Sequence, residues 1–376
     1  MKVVAGIDIG GTKCAVSFAH MKEEEIEFLD KVRMETDTEC FDNVMQGVVS
    51  IIADKLQENP EWRLMSIGIS CGGPLDAEKG LILSPPNLPK WDHADVFTPL
   101  KRTFGVPVMI QNDADACALA EWSLGAGRGS RNMIFLTFGT GMGAGLILNN
   151  ELYSGSCGLA GEVGHIRMED DGPYGYGKYG SFEGFCSGGG IARLGRMKAL
   201  EAIRAGNPPL FCQSEDQLDT ISGKTIADAL HAGDPLAAEI YDIVGKYLGR
   251  GLSVLIDILN PQVIVIGSIY GRQKEVLDKE MYRVLELEAL AASRGACKIV
   301  PASLGEMIGD YAAISVGIKA YRDLYQKGSF QFYDMAETSV LTRLYSGKSP
   351  CLNSHRTGLA SVSDAAASPL SSALPM

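Results

Sequence analysis

The strongest constraint on this chain is a pattern that occurs twice. Ile7 to Phe18 (IDIGGTKCAVSF) and Leu136 to Leu148 (LTFGTGMGAGLIL) each run from an apolar strand, through a glycine turn carrying a threonine, into a second apolar strand. A turn that short makes each copy a β-hairpin with a glycine tip, and glycine, having no Cβ, lets main-chain N–H groups face an anion. Two copies about 130 residues apart predict two similar α/β lobes, each offering its hairpin to a shared cleft. Neither turn matches GxxxxGKS/T, so neither is a P-loop, and one glycine hairpin alone is as readily a plain tight turn as a phosphate site. The meaning of the pair rests on what stands between and after the copies.

Strands and helices alternate over that span. Val3 to Ile9, Cys14 to Ala19 and Ile26 to Met34 are strand candidates, and Phe41, Val44, Met45, Val48, Ile51 and Ile52 recur at helical spacing. Met65 to Ser70 reads as a buried strand stopped by GGPLD, while Ser84 to Trp91 (SPPNLPKW) has three prolines and is a surface loop or pocket wall. Val106 to Ile110 is a short strand, and the glycine-capped helix after it (ADACALAEWSLGAG) puts Asp113 at a strand-to-helix corner. Beyond the second hairpin come a glycine- and tyrosine-rich loop, Gly172 to Gly180, a helix from Ser187 to about Ala202, and a lower-complexity connector after Pro208 and Pro209. A long helix from Asp234 to Leu259, a strand at 263–267 and helices at about 275–292 and 306–325 complete an α/β chain. The expected lobes are 1–117, completed by the helix at 306–326, and 118–305. The tail at 328–376 is small, polar and proline-containing, as poorly ordered ends are.

The 376 residues suffice for two cores, and 46% hydrophobic with 21% charged residues is an ordinary globular balance. A net charge of -12 repels nucleic acid and anionic membranes, which leaves a small molecule as the expected partner. The first apolar run is too short for a secretory signal, and no window is long enough for a membrane span. Nine scattered cysteines without a CxxC pair read as reduced thiols in a cytoplasmic protein.

The order of motifs says more than any one of them: DIGGTK, GGPLD, SPPNLPKW, QNDADACALAEW, GTGMGAG, GLAGEVGH, a glycine loop containing Glu183, and NPQVIVIG. In that order they resemble the ROK family of sugar kinases and sugar-responsive repressors, within the sugar kinase and actin superfamily, over about residues 3–325. The resemblance implies a two-lobed actin-like, ribonuclease H-like ATPase fold that takes ATP and Mg²⁺ in its cleft. It matches Asp8, Gly10, Gly11, Thr12 and Lys13 to the first phosphate motif, and Gly139, Thr140 and Gly141 to the second. Gly267 matches a glycine near adenosine, with Ser268 where a further glycine is usual. Asn112 and Asp113 match the pair that holds the sugar and supplies the base, while Asn87, Glu162, His165 and Glu183 match ligands of sugar hydroxyls. Asp8 would hold Mg²⁺ through water. Lys13 is given no catalytic part.

The chemistry is coherent with that placement. A hexose hydroxyl is far too weak an acid to ionise near neutrality, so its attack on a γ-phosphoryl needs a carboxylate that takes the proton as the bond forms. Asp113 is the residue expected to do so. Taken alone, such an aspartate is more often a carboxylate stabilising the helix dipole, and a histidine such as His165 more often a structural residue than a ligand. The motif order is what favours the chemical roles.

One stretch departs from the family. Its zinc site, CxCGxxGCxE with the preceding histidine as fourth ligand, aligns here with YGYGKYGSFE, so Tyr174, Tyr176 and Ser181 stand at the cysteine positions. Their hydroxyls are poor zinc ligands, and no structural zinc is expected. The hydroxyls of Tyr174, Tyr176 or Ser181, with ring packing, are expected to orient His165 instead. Cys157 and Cys186 offer only a two-cysteine alternative at unmatched spacing. The leading expectation is an ATP-dependent kinase of a hexose or N-acetylhexosamine, acting at the 6-hydroxyl of a glucose-type sugar, with a homodimer expected from the family and base rates. Its rivals are a sugar-sensing transcriptional regulator and a non-catalytic sugar- or nucleotide-binding relative. Family repressors carry a helix-turn-helix before the first hairpin, whereas seven residues precede Asp8.

Overall fold

In the computed structural model, which describes residues 1–22 and 25–326, the first apolar run is β1 (Lys2–Ile9) and turns back through residues 10–12 into β2 (Lys13–Met21). The tail expected at 328–376, with Cys351, lies outside the described residues. Strand β3 (Ile26–Glu35) extends the hairpin on its β2 side, while β4 (Arg63–Cys71) and β8 (Val108–Asn112) run parallel to β1 on the other, giving the order β3-β2-β1-β4-β8. Strand β1 is central, and its side chains are buried almost continuously, as a strand covered on both faces requires. Helix α1 (Phe41–Glu58) buries Val44, Met45, Val48 and Ile52 against this sheet, each worth about 1.5–3 kcal/mol. A small sheet of β5 (Leu75–Asp76), β6 (Leu81–Ile82) and β7 (Ala94–Asp95), followed by α2 (Phe97–Phe104), leads into β8.

The second hairpin repeats the plan. Strands β9 (Met133–Leu136), β10 (Ala144–Leu148) and β11 (Glu151–Leu152) are antiparallel neighbours, and β14 (Val263–Ile266) and β15 (Lys298–Pro301) add in parallel beyond β9. The order β11-β10-β9-β14-β15 is the first sheet over again, so the duplication read in two motifs extends to the pairing of ten strands. Between β11 and β14 lie the short hairpin β12 (Tyr174–Gly175) and β13 (Lys178–Tyr179), then α4 (Phe182–Phe185), α5 (Gly188–Arg204), α6 (Gly223–His231) and α7 (Pro235–Leu259). Helices α8 (Ile269–Glu288) and α9 (Ala291–Ala296) connect β14 to β15.

Two helices join the sheets. Helix α10 (Ile308–Gln326) packs on β1, β4, β8 and α3 (Asp113–Ser123), and α3 in turn packs on β9 and β10. Both approaches need glycine. A Cβ on Gly68 would lie 2.1 Å from the carbonyl of Ala313, and one on Gly145 would lie 2.5 Å from that of Ala114. Ala116, Leu119, Phe135, Val265 and Val316 then share one core between the sheets. The expected division at 117 falls inside α3.

Three local expectations are corrected. Helix α8 starts at Ile269 rather than near 275 and ends at Glu288, because a non-helical Gln273 (φ -121, ψ 20) interrupts the spacing of its first turn. The connector after Pro209 contains a 3-10 turn at Glu215–Thr220 and α6, which a reciprocal Ser222–Thr225 capping box starts. Helix α3 ends at Ser123 with Leu124, not a glycine, as its C-cap; a Cβ on Gly125 would lie 2.0 Å from Glu121 Oε2. Among the described residues no helix is long and apolar enough to cross a membrane.

Candidate active site

Strands β1, β4 and β8 end side by side, with Asp8 opposite Ser70 and Cys71 opposite Asn112. At about 4.8 Å per strand, Asp8 therefore stands two strands from the Asn112–Asp113 corner. Carboxyl ends of parallel strands are where open α/β sheets bind ligands. Burial, then the like charges of Asp310 and Asp113, push the Asp8 carboxyl above its ordinary range, against the pull of Lys31.

The first glycine turn is held from both ends: Gly10 N–H donates to Lys13 O at 3.0 Å, and Thr36 Oγ1 donates to Gly10 O at 2.7 Å. Thr12 and Lys13 are exposed beyond it. The proline loop lies on this turn, since a Cβ on Gly11 would be 2.8 Å from Asn87 Cβ. Buried Leu88 and Trp91 anchor the loop, and Trp91 Nε1 donates to Asp37 O at 3.2 Å, so a rigid segment presents Asn87 beside the hairpin tip.

At the corner, Asn112 caps α3 by accepting from Asp115 N–H at 2.8 Å, which leaves its Nδ2 for the cleft. Asp113 Oδ1 accepts from Ala114 N–H at 2.9 Å. The Asp113 carboxyl is reachable by solvent yet walled by protein; this enclosure raises its pKa above the ordinary value, the Ala114 N–H opposes the rise, and the charge of Glu162 adds to it. Asp115, two residues on, is buried, with Ser154 Oγ donating to its Oδ2 at 2.9 Å and no partner among the described residues for its Oδ1.

The second turn is tied down by Gly143 N–H donating to Thr137 Oγ1 at 2.8 Å and by Gly188 N–H donating to Gly139 O at 2.7 Å. The start of α5 thus rests on Gly139 and Thr140. Glu183 brackets the same turn to the β12–β13 hairpin, accepting from Met142 N–H at 3.1 Å and from Tyr176 N–H at 3.0 Å. A Cβ on Gly141 would come within 2.9 Å of Glu183 Oε2. Gly161 has φ +94, and a Cβ there would be 2.0 Å from Ala144 O, so only glycine lets GLAGEVGH hug β10 and bring Glu162 near Asp113.

His165 closes the 3-10 turn Val163–His165 and is exposed. The Tyr176 ring meets it edge-on at 5.2 Å, Lys178 Nζ lies 3.3 Å from its Nδ1, and the Tyr176 hydroxyl donates to Glu162. The Tyr176 ring, and not its hydroxyl, meets His165, and the other two expected residues are placed elsewhere. Tyr174 packs on Tyr179, and buried Ser181 donates to Gly175 O at 2.7 Å while capping α4. The donor set does not suit zinc: a ring, an ammonium and a hydroxyl surround His165. Cys186 is buried with its thiol donating to Val244 O, and Cys157 is exposed, so these two do not make a metal site either.

Next to Gly139 and Thr140 opens a cavity of 770 Å³, walled by α5, α6 and the residues after β14, with Lys224, Tyr241, Ser268 and Arg272 among its lining. Gly267 stops one residue short of it, donating its N–H to Leu136 O at 2.9 Å. Sequence patterns name Tyr176 only as one of three candidates to orient His165, and they do not single out α6 or Asp115. The Ser222–Thr225 capping box is the signal that reveals α6; no local signal reveals Asp115.

The glucokinase of Streptomyces coelicolor is 32% identical over 270 residues, covering 71% of this chain and 82% of that protein. The xylose repressor of Caldicellulosiruptor bescii is 30% identical over 268 residues, 70% of this chain and 65% of that protein. A solved ROK family glucokinase from Streptomyces griseus in complex with glucose and AMPPNP superposes with a TM-score of 0.63 at 28% identity, covering 84% of this chain and 99% of that one. With two sheets of like topology, a cleft at their carboxyl ends and a ROK family sequence model matching residues 4–316, the chain belongs to the ROK family.

Proposed function

We propose that this protein is an ATP-dependent sugar kinase acting on a hexose or N-acetylhexosamine, first of all at the 6-hydroxyl of a glucose-type sugar. The observation that carries the reading is the Asp113 corner. A carboxylate with a raised pKa stands open to the cleft beside Asn112 and Glu162, with one oxygen held by a main-chain N–H. Its second oxygen takes the proton of the acceptor hydroxyl as that hydroxyl attacks the γ-phosphoryl group. Asn87, Asn112, Glu162, His165 and Glu183 hold the other hydroxyls, and Glu183 also keeps the second glycine turn in place. Main-chain N–H groups of 11–12 and 140–141 face the phosphates, and the cavity beside Thr140 takes the nucleoside.

Mg²⁺ would neutralise phosphate charge, and Asp8 is the carboxylate that would hold it through water. No three His, Cys, Asp or Glu side chains gather into a metal cage among the described residues, which suits an ion held mainly by phosphate oxygens and water. A cytoplasmic setting and a homodimer belong to the same proposal. The likeness to a xylose repressor supports a second reading, a sugar-sensing regulator, which predicts sugar binding without turnover. A coupled ADP-release assay across a hexose panel separates the two. Sugar-stimulated ADP release is expected, with Asp113→Ala slower by about 10²- to 10⁴-fold. If no sugar stimulates release, or the variant keeps full turnover, the kinase mechanism is wrong.

A further inference from the structure

We propose that Tyr176 is the positioning residue of the sugar site, one residue that sets the places of Glu162, His165 and Glu183 together. The inference rests on the reading that these three border the sugar. Its hydroxyl donates to Glu162, its ring packs edge-on against His165, and its own N–H donates to Glu183 Oε1 at 3.0 Å.

The backbone supplies a second, independent observation. Tyr174 pairs with Tyr179 and Gly175 with Lys178, so Tyr176 and Gly177 are the two residues of a hairpin turn, with φ +49 and +78. A turn with both residues left-handed takes asparagine, aspartate or glycine at its first position, because their short side chains tolerate that conformation. The β10–β11 turn obeys, with Asn149 and Asn150 at φ +54 and +67. A tyrosine there is strained, and such strain persists only where surrounding contacts hold it. The contacts on view are those to Glu162 and His165. Partial burial, then the bond to Glu162, raises the phenol pKa above its ordinary value. The ring thereby steadies His165, at a loop whose residues do not suit a metal.

Two variants separate these contacts. Tyr176→Phe removes only the hydroxyl; Tyr176→Asn removes hydroxyl and ring but keeps the turn and the N–H to Glu183. Sugar affinity is read by titration calorimetry as well as by KM, so the test does not depend on turnover. Tyr176→Phe is expected to weaken sugar binding about 10-fold, and Tyr176→Asn further, with the KM for ATP within about 2-fold of wild type. Tyr176→Asn is also expected to melt no lower than wild type, since asparagine suits the turn. A lower melting temperature with unchanged sugar affinity, or equal shifts for sugar and ATP, overturns the proposal. Glu162→Ala tells the two levels apart. If it weakens sugar binding while both Tyr176 variants do not, the positioning role fails and the sugar reading stands; if it too has no effect, the sugar reading of this wall fails.

Discussion

Ser268 sits between β14 and α8 at φ +48 and ψ -100, a region that a residue with a Cβ enters only under strain. A glycine would adopt this conformation freely, so the serine is what strains it. Its hydroxyl gains one contact in return, accepting from Arg272 Nη2 at 3.2 Å on an exposed surface. Such a bond contributes little against solvent. Ser268→Gly is expected to stabilise the fold by about 1 kcal/mol, net of the extra freedom that glycine gives the unfolded chain. Urea unfolding of the two proteins reads the difference, and a less stable glycine variant would mean that the Arg272 contact outweighs the strain. Tyr176 shows the opposite balance, where strain at one residue is kept because three neighbours depend on it.

At the scale of elements, the Asn112–Asp113 corner is steadied by Glu121 at the far end of α3. It is fully buried and accepts from Ala126 N–H at 2.8 Å, Ser303 N–H at 2.9 Å and Leu304 N–H at 3.0 Å, so one carboxylate ties α3 to the segment leading from β15 to α10. Glutamine would turn an NH₂ group toward at least one of those donors. Leaving a main-chain N–H buried and unpaired costs about 1–3 kcal/mol, so Glu121→Gln is expected to lose about 3 kcal/mol once the weakened charge-assisted bonds are included. A chemical-denaturation midpoint equal to wild type would show that the bracket carries no stability. Local patterns made much of this architecture legible: the hairpins, α1, α7 with its Asp234 cap and the Asn112–Asp113 corner each announce themselves within a dozen or so residues. Helix α6 did not, because a proline pair and polar residues before it mask a short amphipathic repeat. Glu121 lies 182 residues from Ser303, and Tyr176 reaches Glu162 and Glu183 only because the chain folds back twice between them. No periodicity reports such meetings.

At the scale of the whole molecule, folding gathers acids from both sheets into one cleft of a chain that already carries a net charge of -12. Asp8, Asp113 and Asp115 are all pushed above the ordinary carboxylate range, with burial the first cause in each. On the outside, the reverse holds: the bond from Arg250 keeps the Glu169 carboxyl below its ordinary range. The two sets pull stability in opposite directions with pH, and Asp115 is the extreme member of the first. It is 1% exposed, and its carboxyl is pushed up to about 7 by burial and then by the charges of Asp113 and Glu162, against the bond from Ser154. In the unfolded chain the same group titrates near 3.8, so between these values the folded protein binds more protons than the unfolded one. Stability from this group is therefore greatest below the lower value, falls as pH rises through the window, and is level above it. An asparagine at this position has no proton to exchange and so no such slope. The advantage of Asp115→Asn over wild type is thus expected to grow by about 3 kcal/mol between about pH 5 and pH 8, at about 1.4 kcal/mol for each pH unit inside the window. Urea unfolding of both proteins across that range measures the gap. If it stays constant, Asp115 does not change its proton between those pH values, and the picture of a cleft charged against its own folding loses its main support.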